Sequence, residues 1–464
     1  MTSVRSDSHR GLLIATIVGL SIYAAGTGLA EFAIAGTAIR IGGLLVLLRI
    51  TAKRRTLTAW TFFAILAGAE LGADAPAVAV HLHVLAEIFL RLVRVIVAPL
   101  ILGTLTTGIA AHGQVKSLGR VALKTLVYFE VVTTLALLLG VVAIDLSRAG
   151  EGVVVPAGLM AQETPASTGS HAGFEGFLLN VFPENLVTAI GENQILQVAV
   201  FSILFGVALA LLAEEKRAPL LAVLESLTAA MFQLTKIIMY LAPLAAGAAL
   251  SYTVGSMGIS TLLPLAKLVA TFYGAALALF LLVFVPILLL MRIPVRGFLR
   301  AVSEPAAIGF ATSASQSALP LAMERMEEFG VPRWVVSFVI PSGYSFNMDG
   351  ASLYLSIASI FAAQVAGIHL TVGQQAVMVL TLMLTSKGIA GVPRATLMIL
   401  LATAASFHLP STPILMILGV DALIDMGRTA LNVTGNCLAA AVVGKWEGAA
   451  GANKGGTTPG GGGI

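Results

Sequence analysis

One cysteine in 464 residues leaves no intramolecular disulfide to consider, and Cys437 sits in an apolar stretch where packing is its expected role. Charge is scarce too. Only 11% of residues are Asp, Glu, Lys or Arg, against about 25% in a soluble domain. With 58% hydrophobic residues and a mean hydropathy of +0.96, the chain lacks the polar surface a water-soluble fold requires. It reads as an all-α polytopic membrane protein whose first partner is the lipid bilayer, with no nucleic-acid partner expected.

The net charge of +4 matters less than where the positives fall. They gather in short loops: Lys53, Arg54 and Arg55; Lys116, Arg120 and Lys124; Lys216 and Arg217; Arg292, Arg296 and Arg300. The positive-inside rule makes those loops cytoplasmic. Between them, apolar segments run from about 57 to 73, 84 to 111, 121 to 147, 174 to 213, 221 to 253 and 262 to 291, each sufficient for a span of about 20 residues. Several exceed that length, which implies tilt or breaks. The loop from Gly150 to Gly173 is polar, rich in small residues and non-cytoplasmic; the glycine-rich stretch 448–464 is expected to be disordered.

Residues 11–30 and 32–50 are also apolar, bounded by Arg5 and Arg10 before and Lys53 to Arg55 after, and interrupted by Glu31 and Arg40. Basic residues at both ends favour an even number of crossings, so residues 1–56 are read as an extension with two additional short spans. A cleaved signal peptide fits less well, because the apolar stretch is long and its small-residue site poorly placed; a mis-assigned start codon is the other alternative.

Residues 412–442 read as one long apolar helix carrying Asp421, Asp425, Arg428, Asn432 and Asn436, at spacings of four, three, four and four. Those spacings put all five on one stripe. An Arg or Asp at mid-membrane costs about 2.5–3.5 kcal/mol even on the generous insertion scale, so such residues are usually functional. Upstream, Thr312-Ser313 precedes Pro320 as Thr385-Ser386 precedes Pro393, a weak internal repeat offset by 73 residues. Both tips are too rich in small polar residues for a mid-membrane helix and look like re-entrant hairpin tips, where exposed helix N-termini favour an anion. The segment Gly343-Tyr-Ser-Phe-Asn-Met-Asp-Gly350 suits a broken helix whose carbonyls and carboxylate hold a cation.

Asn347-Met-Asp-Gly350, Ala390-Gly-Val-Pro393 and Asp425-Met-Gly-Arg-Thr-Ala-Leu-Asn-Val-Thr-Gly435 closely resemble signature segments of the dicarboxylate/amino acid:cation symporter family, the glutamate transporter family. Phe89-Leu-Arg-Leu-Val-Arg94 and Tyr128-Phe-Glu-Val-Val-Thr-Thr134 fit the same pattern, and the resemblance runs from about Leu57 to Glu447. It implies eight membrane helices plus two re-entrant helical hairpins, a homotrimer in the bacterial inner (plasma) membrane, and an elevator motion. In those terms residues 57–300 form the first six helices, mostly trimerisation scaffold, with the third and sixth joining the transport domain. Residues 301–447 form the transport core.

By position, the resemblance assigns the distal carboxylate of a substrate to Arg428, its amino group to Asp425, and the backbone carboxylate and amine to Thr429 and Asn432. Ser315 and the amides around Gly388, Ile389, Ala390 and Gly391 would close the site from the two hairpins. The chemistry agrees, since guanidinium presents a planar fork matched to carboxylate and an Asp one turn away suits an ammonium. An internal Asp425–Arg428 ion pair that merely locks the helix is the structural alternative. The family's sodium sites correspond to backbone oxygens at Gly343, Asn347 and Asn432, the Asp349 carboxylate, a hydroxyl near Thr133, and an acid at the position of Asn436, with Ser345 counted among the cation-binding positions.

Here that acid is an amide, which weakens a site built on hard oxygen ligands, so proton coupling is read ahead of sodium coupling. Ala351 is a second departure, standing where many members carry a hydroxyl near the distal carboxylate. Members dedicated to succinate, fumarate and malate usually lack the Asp at position 425, so glutamate or aspartate is the leading substrate and C4-dicarboxylates the alternative. An enzyme is disfavoured. Asp421 and Asp425 share one helix, unlike the converging pair of an intramembrane aspartyl protease, and no Gly-x-Ser-x-Gly elbow accompanies His408. No catalytic residue and no cofactor is assigned.

Overall fold

The computed structural model describes residues 33–54, 56–110, 116–153, 182–192, 194–386, 395–407 and 409–448, with Ser21 besides. Among them there is helix and connecting turn, and no strand. In chain order the helices are α1 (Ala33–Arg54), α2 (Leu57–Asp74), α3 (His83–Ala110), α4 (Lys116–Ser147), α5 (Ile195–Ala210), α6 (Glu214–Met239) and α7 (Ala242–Met257). Next, α8 (Leu262–Leu279) runs through a π turn at Phe280–Phe284 into Val285–Leu290. The remainder are α9 (Val295–Thr312), α10 (Ser315–Glu328), α11 (Arg333–Phe346), α12 (Asp349–Val365), α13 (Val372–Thr385), α14 (Ala395–Ser406) and α15 (Thr412–Trp446).

Five described stretches are long and apolar enough to cross a bilayer: Pro76–Ala110, Leu123–Ser147, Glu214–Met239, Ile259–Leu290 and Arg333–Val365. Two of the longer apolar segments are interrupted. The run 221–253 holds two helices because Pro243, near the start of α7, has no N–H to give the Met239 carbonyl. The run 174–213 is divided by a short helix, Leu186–Gly191, whose first amides donate to the Asn185 side chain at 2.8 and 3.4 Å. Of the two expected N-terminal spans, the second falls in α1; the first lies outside the described residues apart from Ser21, as does the glycine-rich stretch beyond Gly448.

The chain divides into two compact units, one of residues 1–90, 238–262 and 415–422 and the other of 91–237, 263–414 and 423–464. In the first, α2 and α7 pack along each other through small residues, the usual device where lipid supplies no hydrophobic drive. A Cβ on Gly247 would lie 2.7 Å from the Ala64 carbonyl oxygen, so nothing larger than Gly fits there. α1 is fastened to α2 by charge: Arg40 Nε donates to Glu70 Oε1 at 2.5 Å and Nη2 to Asp74 Oδ1 at 3.2 Å.

In the second unit α12 is the axis of the core, with every residue but Gln364 buried. α4 packs along it, and Gln364 Oε1 accepts from the Gly150 amide at 3.0 Å just past the end of α4. The C-terminal end of α15 is held by Lys124, whose Nζ donates to the Trp446 carbonyl at 3.1 Å and Glu447 Oε1 at 2.6 Å, a cation placed at the negative end of the helix dipole.

Candidate functional site: a broken helix and a buried ion pair

The expected break is present. Asn347 (φ −120°, ψ 72°) and Met348 (φ −101°, ψ 65°) leave the helical region, so α11 ends at Phe346 and α12 restarts at Asp349. The restart exposes amides that have no acceptor within their own helix. Those of Gly350 and Ala351 donate to Asn432 Oδ1, on α15, at 2.8 and 3.2 Å. A side chain on one helix therefore caps another. Both acceptor lone pairs of that amide are used, so toward a solute Asn432 can act only as a donor through Nδ2.

Beside this cap, Asn347 Nδ2 donates to Asp349 Oδ2 and to Asn436 Oδ1, each at 3.1 Å, and all three residues are buried. The close approach depends on glycine: a Cβ on Gly343 would fall on the Asn436 amide, and one on Gly435 on the Asp349 carboxylate. Asn347 Oδ1 has no hydrogen-bond partner among the described residues. An unbonded amide oxygen next to a carboxylate is hard-oxygen chemistry of the kind a small cation takes. The Gly343 carbonyl accepts from the Asn347 amide at 2.9 Å and keeps its second lone pair; Ser345 lies in the last turn of α11. Thr133 is buried in α4, its hydroxyl donating to the Phe129 carbonyl at 2.7 Å, and α4 packs against both α11 and α12.

One turn before Asn432, Arg428 Nη2 donates to Asp425 Oδ1 in an ion pair whose side chains are 2% and 5% exposed. The guanidinium carbon also lies 4.7 Å from the ring centroid of Tyr354 on α12, a cation–π contact. Tyr354 is set edge-on to Phe272 of α8, and the neighbouring Tyr273 hydroxyl donates to the Leu423 carbonyl at 2.7 Å. Neither tyrosine was expected from sequence. Their signal was compositional, two of only seven tyrosines, each carrying a hydroxyl in an otherwise apolar stretch.

Thr429 is buried, and α9 meets α15 there: a Cβ on Gly309 would sit 3.4 Å from Thr429 Cγ2. One turn beyond Gly309, α9 ends in a tight reversal. Ser313 is left-handed (φ 52°, ψ 27°), Thr312 Oγ1 accepts from the Ala314 amide at 3.3 Å, and α10 starts at the buried Ser315. This is the first expected hairpin tip. Its counterpart opens with a capping box at Thr371 and Gln374 ahead of α13, but Gly388, Ile389, Ala390 and Gly391 lie outside the described residues.

Known proteins show the same arrangement of sequence. The profile of the sodium:dicarboxylate symporter family matches residues 57–446. The chain belongs to that family. Among relatives it resembles are the proton/glutamate-aspartate symporter of Escherichia coli (strain K12), 41% identical over 367 residues, or 78% of this chain and 84% of that protein. The proton/sodium-glutamate symport protein of Bacillus caldotenax is 37% identical over 404 residues, 85% of this chain and 96% of that protein. The C4-dicarboxylate transport protein of Anaeromyxobacter sp. (strain K) is 39% identical over 398 residues, 85% and 90% of the two chains.

Every residue discussed for substrate or cation falls within the symporter-family match. Helix α1 and Arg40 fall outside it, so this chain carries a helix, ion-paired to α2, that the family profile does not include.

Proposed function

We propose that the chain is a secondary active symporter that moves glutamate and aspartate across the bacterial inner membrane, coupled to protons, sodium or both. The Asp425–Arg428 pair carries this reading. Two buried charges that satisfy each other can be separated only by something that satisfies both, because an uncompensated buried ion costs several kcal/mol. An acidic amino acid brings both complements, a distal carboxylate for the Arg428 fork and an ammonium for Asp425. Thr429 and the donor-only amide of Asn432 then meet the backbone carboxylate rather than the amine. Ser315 and the amides of residues 388–391 close over it from the two hairpins.

In this proposal Gly343, Ser345, Asn347, Asp349, the backbone carbonyl of Asn432, Asn436 and Thr133 hold the coupling cation. Residues 57–447 adopt eight membrane helices with α9–α10 and α13–α14 as re-entrant hairpins. Three copies assemble through a scaffold drawn mostly from residues 57–300, and residues 301–447 form the core that shuttles. Names of relatives support the substrate, since the Escherichia coli and Bacillus caldotenax proteins are glutamate symporters by name. A second reading, C4-dicarboxylate transport, is favoured by the Anaeromyxobacter relative. Asp425 weighs against it, placing a negative charge where a dicarboxylate has no ammonium to offer.

The test is uptake into proteoliposomes with sodium and pH gradients imposed separately, across glutamate, aspartate, succinate, fumarate and malate. Preference for both amino acids supports the proposal; preference for succinate over both overturns it.

A further inference from the structure

α9 carries a second feature that the transport reading does not use. A cleft of about 450 Å³ opens between α8, α9 and α15, lined chiefly by Tyr273, Phe280, Leu299, Ala306, Phe310 and Leu431. Leu299 and Phe310 are each 39% exposed, so the cleft is apolar and open within its unit. Along α9 the cleft-lining residues Leu299, Ser303, Ala306 and Phe310 recur at spacings of four, three and four, one helical stripe. Arg296 extends that stripe by one turn.

Three exposed arginines, Arg292, Arg296 and Arg300, surround the N-terminal end of the stripe, and none forms an ion pair among the described residues. The acid on the same helix does not oppose them, because Glu304 is bound to Arg325 at 2.7 Å. The 18-residue helix starts at Val295, its N-cap Pro294 giving no side-chain cap, and adds the positive end of its dipole to the same place. From Arg296 to Phe310 the stripe covers about 21 Å at 1.5 Å per residue, more than the roughly 15 Å depth of one hydrocarbon leaflet. An anion-binding head thus surmounts an apolar channel of leaflet depth, on the side that the arginines themselves mark as cytoplasmic.

We infer that this is a binding site for an anionic phospholipid, its phosphate on Arg292, Arg296 and Arg300 and an acyl chain in the cleft. Gly427, Ala430, Leu431 and Thr434 line the cleft from α15, so the lipid packs on the back of the helix that carries Arg428 and Asn432. Basic pockets between membrane helices on the cytoplasmic side are where anionic headgroups collect.

Native mass spectrometry of the full-length protein, titrated with phosphatidylglycerol or phosphatidylcholine of identical acyl chains, tests it. Wild type should retain phosphatidylglycerol selectively. The R292Q/R296Q/R300Q protein should lose that retention roughly tenfold or more, while the matching Lys triple keeps it. A306W, which fills the cleft, should lower retention with the arginines intact. Equal retention of the two lipids by wild type, or undiminished phosphatidylglycerol on the Gln triple, overturns the proposal. Failure of A306C, in a C437S background, to react with a small apolar maleimide in lipid-free detergent also overturns it, by showing that protein covers the cleft.

Discussion

Arg40 and Arg428 are both ion-paired within apolar helices, and they are paired differently. Arg40 reaches two carboxylates, Glu70 and Asp74, across a helix contact, and the cluster touches solvent, with side chains 15%, 10% and 37% exposed. Arg428 sits one turn from Asp425 on the same helix, against an aromatic face, with both side chains at 5% or less. The first arrangement ties one segment to another, and its charges are met redundantly. The second joins two side chains of one helix, and Arg428 also meets the Tyr354 ring of α12. Under the proposed function the Asp425–Arg428 pair is the one a substrate exchanges with, while the Arg40 cluster fastens α1 to α2.

Removing Arg428 should separate the two most sharply. R428A is expected to abolish uptake of acidic solutes, a loss of at least a hundredfold on the basis that a buried charge-assisted contact is worth about 3 kcal/mol or more. Its elution volume on gel filtration should stay that of wild type. Aspartate uptake at the wild-type rate in R428A proteoliposomes would refute the site.

D425S comes next. Uptake of glutamate and aspartate should fall about tenfold or more, with succinate uptake reduced far less, since only the amino acids lose an ammonium partner. Parallel losses for all three solutes would return Asp425 to a structural role.

N436D probes the cation rather than the solute. Asn436 Oδ1 accepts from Asn347 Nδ2 with one lone pair, so the amide offers an ion one neutral acceptor site and no charge. A carboxylate would keep that hydrogen bond and add a charged oxygen. Wild-type uptake should follow a proton gradient with little sodium dependence, and N436D should tighten sodium activation about tenfold. Strict sodium dependence in the wild type, with no response to pH, would overturn the proton reading.

The smallest effect is expected at Arg40. R40A leaves Glu70 without its guanidinium but near solvent, a cost on the order of 1–2 kcal/mol, read as a drop of a few degrees in thermal midpoint. The ratio of glutamate to succinate uptake should not move. A changed ratio would mean that α1 bears on the site after all.

The stripe on α15, the break at Asn347 and the first hairpin tip were legible in the sequence because each rests on local pattern: spacing on one helix, or small polar residues where apolar ones belong. Contacts between distant segments were not. Nothing in the sequence places Asn432 Oδ1 on the amides of Gly350 and Ala351, some eighty residues away, and that contact changes its role from a two-way ligand to a donor. Tyr354 escaped for the same reason, since an aromatic on an apolar helix reads as packing until the cation beneath it is seen. The break between α6 and α7 was in plain view at Pro243 and was hidden only by the length of the apolar run around it.

The π turn at Phe280–Phe284 has a consequence for how this protein tolerates length changes. A π turn carries one residue more than an α-helical turn needs. Deleting a residue there would remove the surplus and leave α8 close to its present orientation against the helical segment Val285–Leu290, whereas a deletion elsewhere in the helix would rotate the two by about 100°. In that second case Tyr273 would swing off the Leu423 carbonyl, and Phe272 off Tyr354, with no substitution near either. The irregular turn is thus a place where this helix can lose a residue and still keep the aromatic support beneath Arg428.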